Sequence, residues 1–227
     1  MDNQKNINEK QNLISLGKSL SKFVVGMEGN ISKKIKSSFI IKSSGAELGD
    51  LTENSLITYN KKWQQVDNHK NFPSMEIGFH KFLLNFNNVN VVSHTHPTNT
   101  MKILCSKKSK KFSNYRIFPD QVVFNGIKSC LVPYATPGED LTNIIIKKVN
   151  KFIKNEGFFP KLILLENHGI IACGKNENEC IIITEICEKA AEIFVGSKSL
   201  GGTIFLKFKK VKQLSNNNRE LYRKSKL

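Results

Sequence analysis

Two kinds of hydrophobic periodicity alternate along this chain, and that alternation restricts the fold more than any other feature of the sequence. Short, almost wholly apolar runs of strand length occur at Val89–Val92, Leu162–Leu165 and Ile170–Cys173. Such runs suit strands buried on both faces. Between them lie longer stretches with apolar residues three and four apart. The first, Glu9 to Val25, carries Leu13, Leu16, Leu20, Phe23 and Val24 at helical spacing. Pro73-Ser74 opens a helix from Glu76 to Asn85, Thr136-Pro137-Gly138-Glu139 opens one to Lys154, and Asn176 is placed to cap one through Val195. A further helix is expected at Thr98–Cys105, a lysine-rich loop at Lys107–Lys111, and strand pieces at Ile31, Phe39–Ile41, Gln121–Phe124 and Ser129–Val132. Strand and helix alternate without an internal repeat or linker. The expectation is one α/β domain over residues 1–212, followed by a polar basic tail, 213–227, whose last residues are mobile.

The 227 residues can bury a core without metal or disulfide staples, and 39% hydrophobic against 24% charged residues excludes wholesale disorder. No apolar run approaches the roughly 20 residues of a membrane span, and the start lacks the basic and apolar regions of a secretory signal. Five cysteines make an odd number without a CxxC spacing, which predicts reduced thiols in a cytoplasm. The net charge of +16 invites a nucleic-acid reading, yet only Arg116, Arg219 and Arg223 are arginine. Base and phosphate readers lean on arginine's planar fork. Lysines spread along the whole chain predict a solvated basic surface with neither nucleic acid nor membrane as partner. Such a surface can still gather anionic substrates.

The chemistry concentrates in the histidines. His94 and His96, at i and i+2 near a strand end, share one face. His168, followed by Gly169, ends a different strand. Three imidazoles from two strand ends make a three-ligand site with an open position, the arrangement of a catalytic zinc. Glu76, at a helix start where backbone amides favour negative charge, is the carboxylate best placed to serve it. Structural histidines are common, so these residues alone leave metal binding open. His80, four residues after Glu76, fits an ordinary helix-surface pair or a supporting role. His69, in the polar stretch Asp67–Lys70, reads as solvated, and Cys173 and Cys187 read as core.

The surrounding blocks settle the direction of the reading. In order they are Gly29-Asn30-Ile31-Ser32, Ile41-Lys42-Ser43-Ser44-Gly45, Pro73-Ser74-Met75-Glu76 with His80, Val92-Ser93-His94-Thr95-His96-Pro97, Val132–Gly138 and Glu166-Asn167-His168-Gly169-Ile170. Together they resemble the class II aldolase/adducin family of zinc-dependent ketose-phosphate aldolases and ribulose-phosphate 4-epimerases. The details are most similar to aldolase modules that elsewhere are fused to a short-chain dehydrogenase. The resemblance implies a three-layer α/β/α sandwich around a largely antiparallel sheet, and a homotetramer with active sites at subunit boundaries. It gives His94, His96 and His168 the zinc-ligand positions and Glu76 the acid/base position. Asn30, Ser44, Gly45 and Ser74 fall on positions that cradle the substrate phosphate, and Tyr115 on that of a tyrosine supplied by a neighbouring subunit.

The implied activity is cleavage of a ketose, in particular a ketose 1-phosphate, to a dihydroxyacetone unit and an aldehyde through a zinc-stabilised enediolate. Epimerisation of a pentulose phosphate and dehydration of a ketose phosphate are alternatives on the same scaffold. A non-catalytic adducin-like interaction module is an alternative of another class, which the three histidines and Glu76 together disfavour. Two positions depart from the family pattern. Met27 or Glu28 stands where a Thr or Ser is usual, and Met75 replaces the second serine of a Pro-Ser-Ser-Glu pattern. Lys42 is expected either to add positive charge at the phosphate or to point to water.

Overall fold

The computed structural model describes residues 2–36, 38–67 and 70–226, apart from the side chains of residues 2–6 and 224. The elements are α1 (Asp2–Leu20), β1 (Asn30–Ile35), β2 (Ser38–Lys42), β3 (Leu56–Asn60), α2 (Ile77–Leu84), β4 (Val91–Thr95), α3 (Thr98–Leu104), α4 (Ser109–Asn114), α5 (Pro119–Asn125), β5 (Cys130–Val132), α6 (Glu139–Glu156), β6 (Leu162–Leu165), β7 (Gly169–Gly174), α7 (Glu177–Gly196), α8 (Phe208–Ser215) and α9 (Asn218–Lys224). The strands form one seven-stranded sheet in the order β3-β2-β1-β4-β7-β6-β5. The pairs β1–β2, β1–β4, β2–β3 and β6–β7 run antiparallel and β5–β6 runs parallel. This is the mixed α/β class with a largely antiparallel sheet that the sequence predicts.

The chain divides into two compact units. One comprises Met1–Thr95, Ala135–Asn143 and Cys173–Ile181. In it, Leu13, Leu16 and Leu20 of α1 are fully buried, as their helical spacing requires. The register of β1 on β4 sets Asn30 opposite His94 and Ser32 opposite Val92. Cross-strand partners and residues two apart share a face, so Asn30, Ser32 and His94 project to the same side of the sheet. Helix α2 supplies Glu76 and His80 to that side and is seated closely because residue 78 is glycine. A Cβ there would lie 2.6 Å from Thr142 Oγ1 in the first turns of α6.

The other unit comprises His96–Tyr134, Ile144–Ala172 and Ile182–Leu227. Glu188 of α7 caps α3 from outside: its carboxylate accepts from the Asn99 and Thr100 amides at 2.8 and 2.9 Å and from Thr100 Oγ1 at 2.8 Å. Those amides have no partner within their own helix, and negative charge there suits the helix dipole. Arg116 is fully buried and donates to the carbonyls of Ser113, Tyr115 and Gly126 and to Ser129 Oγ. Burial lowers its guanidinium to about 10.

Several local expectations are corrected. Gln121–Phe124 is not a strand but lies in α5, which Pro119 starts from its first turn. A short apolar run does not distinguish the two states by periodicity. The lysine-rich stretch passes into α4 rather than remaining a loop. Near the C-terminus, Val211 of α8 is buried and Asn217 caps α9 through the Arg219 and Glu220 amides. Strand β3, which the sequence reading lacks, pairs along β2. None of the five cysteines forms a disulfide, four of them are buried, and burial pushes the Cys130 and Cys187 thiols up to about 12. Among the described residues no helix is long and apolar enough to cross a membrane. His69 lies outside the described residues.

Candidate active site

Strand β4 runs further than its apolar residues suggest, through Ser93-His94-Thr95, so that His94 is within the strand and His96 just past its end. His168 is presented by the turn from β6 to β7. Asn167 adopts a left-handed φ of 56°, the His168 amide donates to Leu165 O at 3.2 Å, and the Asn167 amide donates to Leu104 O. Asparagine tolerates that conformation better than most residues. Ser109 Oγ donates to Glu166 Oε1 at 2.5 Å, fixing the start of the turn. The rings of His96 and His168 lie 5.3 Å apart, and one ligand atom from each of His94, His96 and His168 lies within 4.8 Å of the others.

Two nitrogens bound to a tetrahedral zinc at about 2.0–2.1 Å lie about 3.4 Å apart. Small side-chain adjustments therefore close this trio on one ion, and imidazole nitrogen suits zinc and its transition-metal neighbours. These residues fit a metal.

Glu76 occupies the N-cap position of α2, but its side chain does not cap the helix. Its Oε2 instead accepts from Asn30 Nδ2 at 2.7 Å and lies 3.4 Å from His94 Nε2. His80 does not pair directly across the helix turn with Glu76 in a surface contact. It is fully buried, with Nε2 against Asn30 Oδ1 and Nδ1 2.6 Å from Ser32 Oγ. Burial, reinforced by His94, holds the His80 pKa well below its ordinary value, so the ring is neutral. Gly29 brings the chain close behind His94. With φ of 72°, a Cβ there would meet His94 O at 2.8 Å and Val24 Cγ1 at 2.9 Å.

The loops around Ser44 and Ser74 are tied together by backbone bonds. The Ser44 amide donates to Phe72 O at 2.8 Å, the Ser74 amide to Lys42 O at 3.2 Å, and the Glu76 amide to Ser74 Oγ at 3.3 Å. Gly45 takes a φ of 77°, and Met27 and Met75 are exposed. Of the two courses expected for Lys42, it does not take the one toward water. It is 2% exposed, and its ammonium donates inward to the carbonyls of Ala46, Ser43 and Met27. Burial lowers it to about 8, partly offset by the Glu76 charge.

Tyr115 is exposed at the C-terminal end of α4, its ring 5.2 Å from that of Phe205. Neither the inward course of Lys42 nor the contact of Ser32 with His80 was read from sequence. Ser32 carried a signal, its position two residues from Asn30 on the same strand face.

The family profile of the Class II Aldolase and Adducin N-terminal domain matches residues 12–195. The chain belongs to this family. An L-fuculose phosphate aldolase of Methanococcus maripaludis is 27% identical over 173 residues, spanning 76% of this chain and 87% of the relative. A 3-oxo-tetronate 4-phosphate decarboxylase of Escherichia coli is 26% identical over 175 residues, 75% of this chain and 77% of that protein. Among solved structures, an L-fuculose 1-phosphate aldolase superposes with a TM-score of 0.75 at 20% identity, covering 91% of this chain and 93% of the other. This chain thus shares its fold with a solved aldolase, while the curated relatives it resembles are named for more than one reaction.

Proposed function

We propose that this protein is a metal-dependent aldolase that cleaves a ketose 1-phosphate to dihydroxyacetone phosphate and an aldehyde. The observation that carries the reading is the contact of Glu76 with His94, one of three histidines able to share an ion. His94, His96 and His168 would hold the metal, with zinc expected, and bound there it supplies a Lewis acid for the substrate's carbonyl. Glu76 moves the proton. Breaking the carbon–carbon bond leaves an electron pair on carbon, and a carboxylic acid within reach delivers a proton to it. In the reverse direction the carboxylate removes that proton.

Ser44, Gly45, Ser74 and the remaining N–H of the Asn30 amide hold the phosphate. Met27 and Met75 bring no hydroxyl donors, so anion binding leans on the basic surface and weakens with salt. In a homotetramer, Tyr115 serves a neighbouring chain's site and exchanges the proton on the leaving aldehyde's oxygen.

The similarity to a 3-oxo-tetronate 4-phosphate decarboxylase supports a second reading. Loss of carbon dioxide from a 3-oxo acid also leaves an electron pair on carbon, which Glu76 would protonate. Assay of metal-loaded protein against ketoses, their 1-phosphates and 3-oxo-acid phosphates separates the two. Release of an aldehyde together with dihydroxyacetone phosphate from a ketose 1-phosphate is the expected result. Carbon dioxide and the residual keto phosphate from a 3-oxo-acid phosphate, with the ketose 1-phosphates left uncleaved, select decarboxylation, and no turnover of any of these substrates by metal-loaded protein refutes both.

A further inference from the structure

We propose that Ser32, His80 and Asn30 form a one-way hydrogen-bond relay that holds Glu76, which makes His80 and Asn30 positioning residues for the acid/base group. The inference rests on the reading of Glu76 given above, but its geometry stands independently. Four side chains from β1 and the start of α2 lie in series: Ser32 Oγ 2.6 Å from His80 Nδ1, His80 Nε2 against Asn30 Oδ1, and Asn30 Nδ2 2.7 Å from Glu76 Oε2. His80 is fully buried and Ser32, Asn30 and Glu76 are buried.

The direction of every bond follows from one end. The Asn30 atom facing Glu76 is the amide nitrogen, which donates to Oε2. That turns the amide oxygen, an acceptor, toward His80. The facing ring nitrogen must therefore carry the proton, which fixes the neutral Nε2–H tautomer. Nδ1 is left as an acceptor, and the Ser32 hydroxyl must donate to it. Reversing any one bond sets two acceptors or two donors face to face in a buried site, at a cost of about 1–3 kcal/mol. The low pKa of His80 is in keeping with a neutral ring that does not itself take up a proton. Because each member has one satisfactory orientation, the carboxylate is held where it meets His94, and partners of this kind are commonly worth about 10–100-fold in activity.

The test has an arm that needs no substrate. In protein labelled with ¹⁵N-histidine, the His80 ring is expected to show the Nε2–H tautomer, with the proton coupling pattern of an unprotonated Nδ1. The Nδ1–H tautomer overturns the relay whether or not the protein proves to be an aldolase. In metal-loaded enzyme, His80→Leu should retain the metal and lower kcat by about 10–100-fold with KM changed little. His80→Gln, which keeps an N–H donor near the Nε2 position, should recover most of that loss. Asn30→Asp, which keeps the shape but removes the donor, should also lower kcat. Equal kcat in His80→Leu and His80→Gln, or an effect of Asn30→Asp confined to KM, would leave these residues as packing and phosphate groups and refute their role through Glu76.

Discussion

Replacing Lys42 by Met tests the electrostatics of the loop cluster, because it keeps the apolar stem and removes the amine. The folded chain holds the Lys42 proton less tightly than the unfolded chain, with a pKa of about 8 against an ordinary 10.5. Below about pH 8 both states are protonated, and the cost of burying the charge is fully present. As pH rises from 8 toward 10.5 the folded protein sheds the proton first, so its stability increases. That lowering corresponds to roughly 3 kcal/mol at the limit, most of it realised by pH 10. Urea denaturation of wild type and Lys42→Met at about pH 7 and pH 10 isolates this contribution, since other titrating groups cancel in the difference. The stability difference should move in favour of the wild type by roughly 2–3 kcal/mol over that range. Curves that stay parallel would mean that the amine titrates normally in water, and the inward placement of Lys42 would be wrong.

Gly29→Ala forces a side chain into left-handed backbone and against His94 O, so it should destabilise by about 2–3 kcal/mol. A thermal melt should show Tm lowered by about 5–10 °C. Glu76→Gln keeps the carboxylate's shape without its basicity, so turnover should fall about 10²–10⁴-fold while metal content is unchanged. Near-normal turnover would assign the proton to another residue. Comparison of a ketose with its 1-phosphate over a salt series should show a preference for the phosphate that declines as salt rises. Equal efficiency for both, flat with ionic strength, would remove the phosphate assignment.

The histidine trio was legible because its spacing is local chemistry: His94 and His96 alternate along one strand, and His168 is followed by a glycine at a turn. Glu76 was legible by its place before a helix, but for a reason that the structure replaces. Its carboxylate is held by Asn30, not by the amides of its own helix. That contact depends on β1 pairing with β4 in the register that sets Asn30 opposite His94, and long-range register is not written in either segment alone. The same limit hid the course of Lys42, whose inward direction depends on carbonyls from two loops. Gln121–Phe124 suits a strand or a buried helix face equally well by its apolar residues alone, and the signal that distinguishes the two is Pro119, the helix start just before it.

Metal binding at the three histidines is the central claim, and equilibrium metal analysis tests it directly. Protein equilibrated with zinc and freed of excess should carry one ion per chain, and His94→Ala, His96→Ala and His168→Ala should each abolish stoichiometric binding, since two imidazoles hold a catalytic zinc poorly. Failure of the wild type to bind zinc or another divalent transition metal, or binding by His168→Ala equal to that of the wild type, would contradict it.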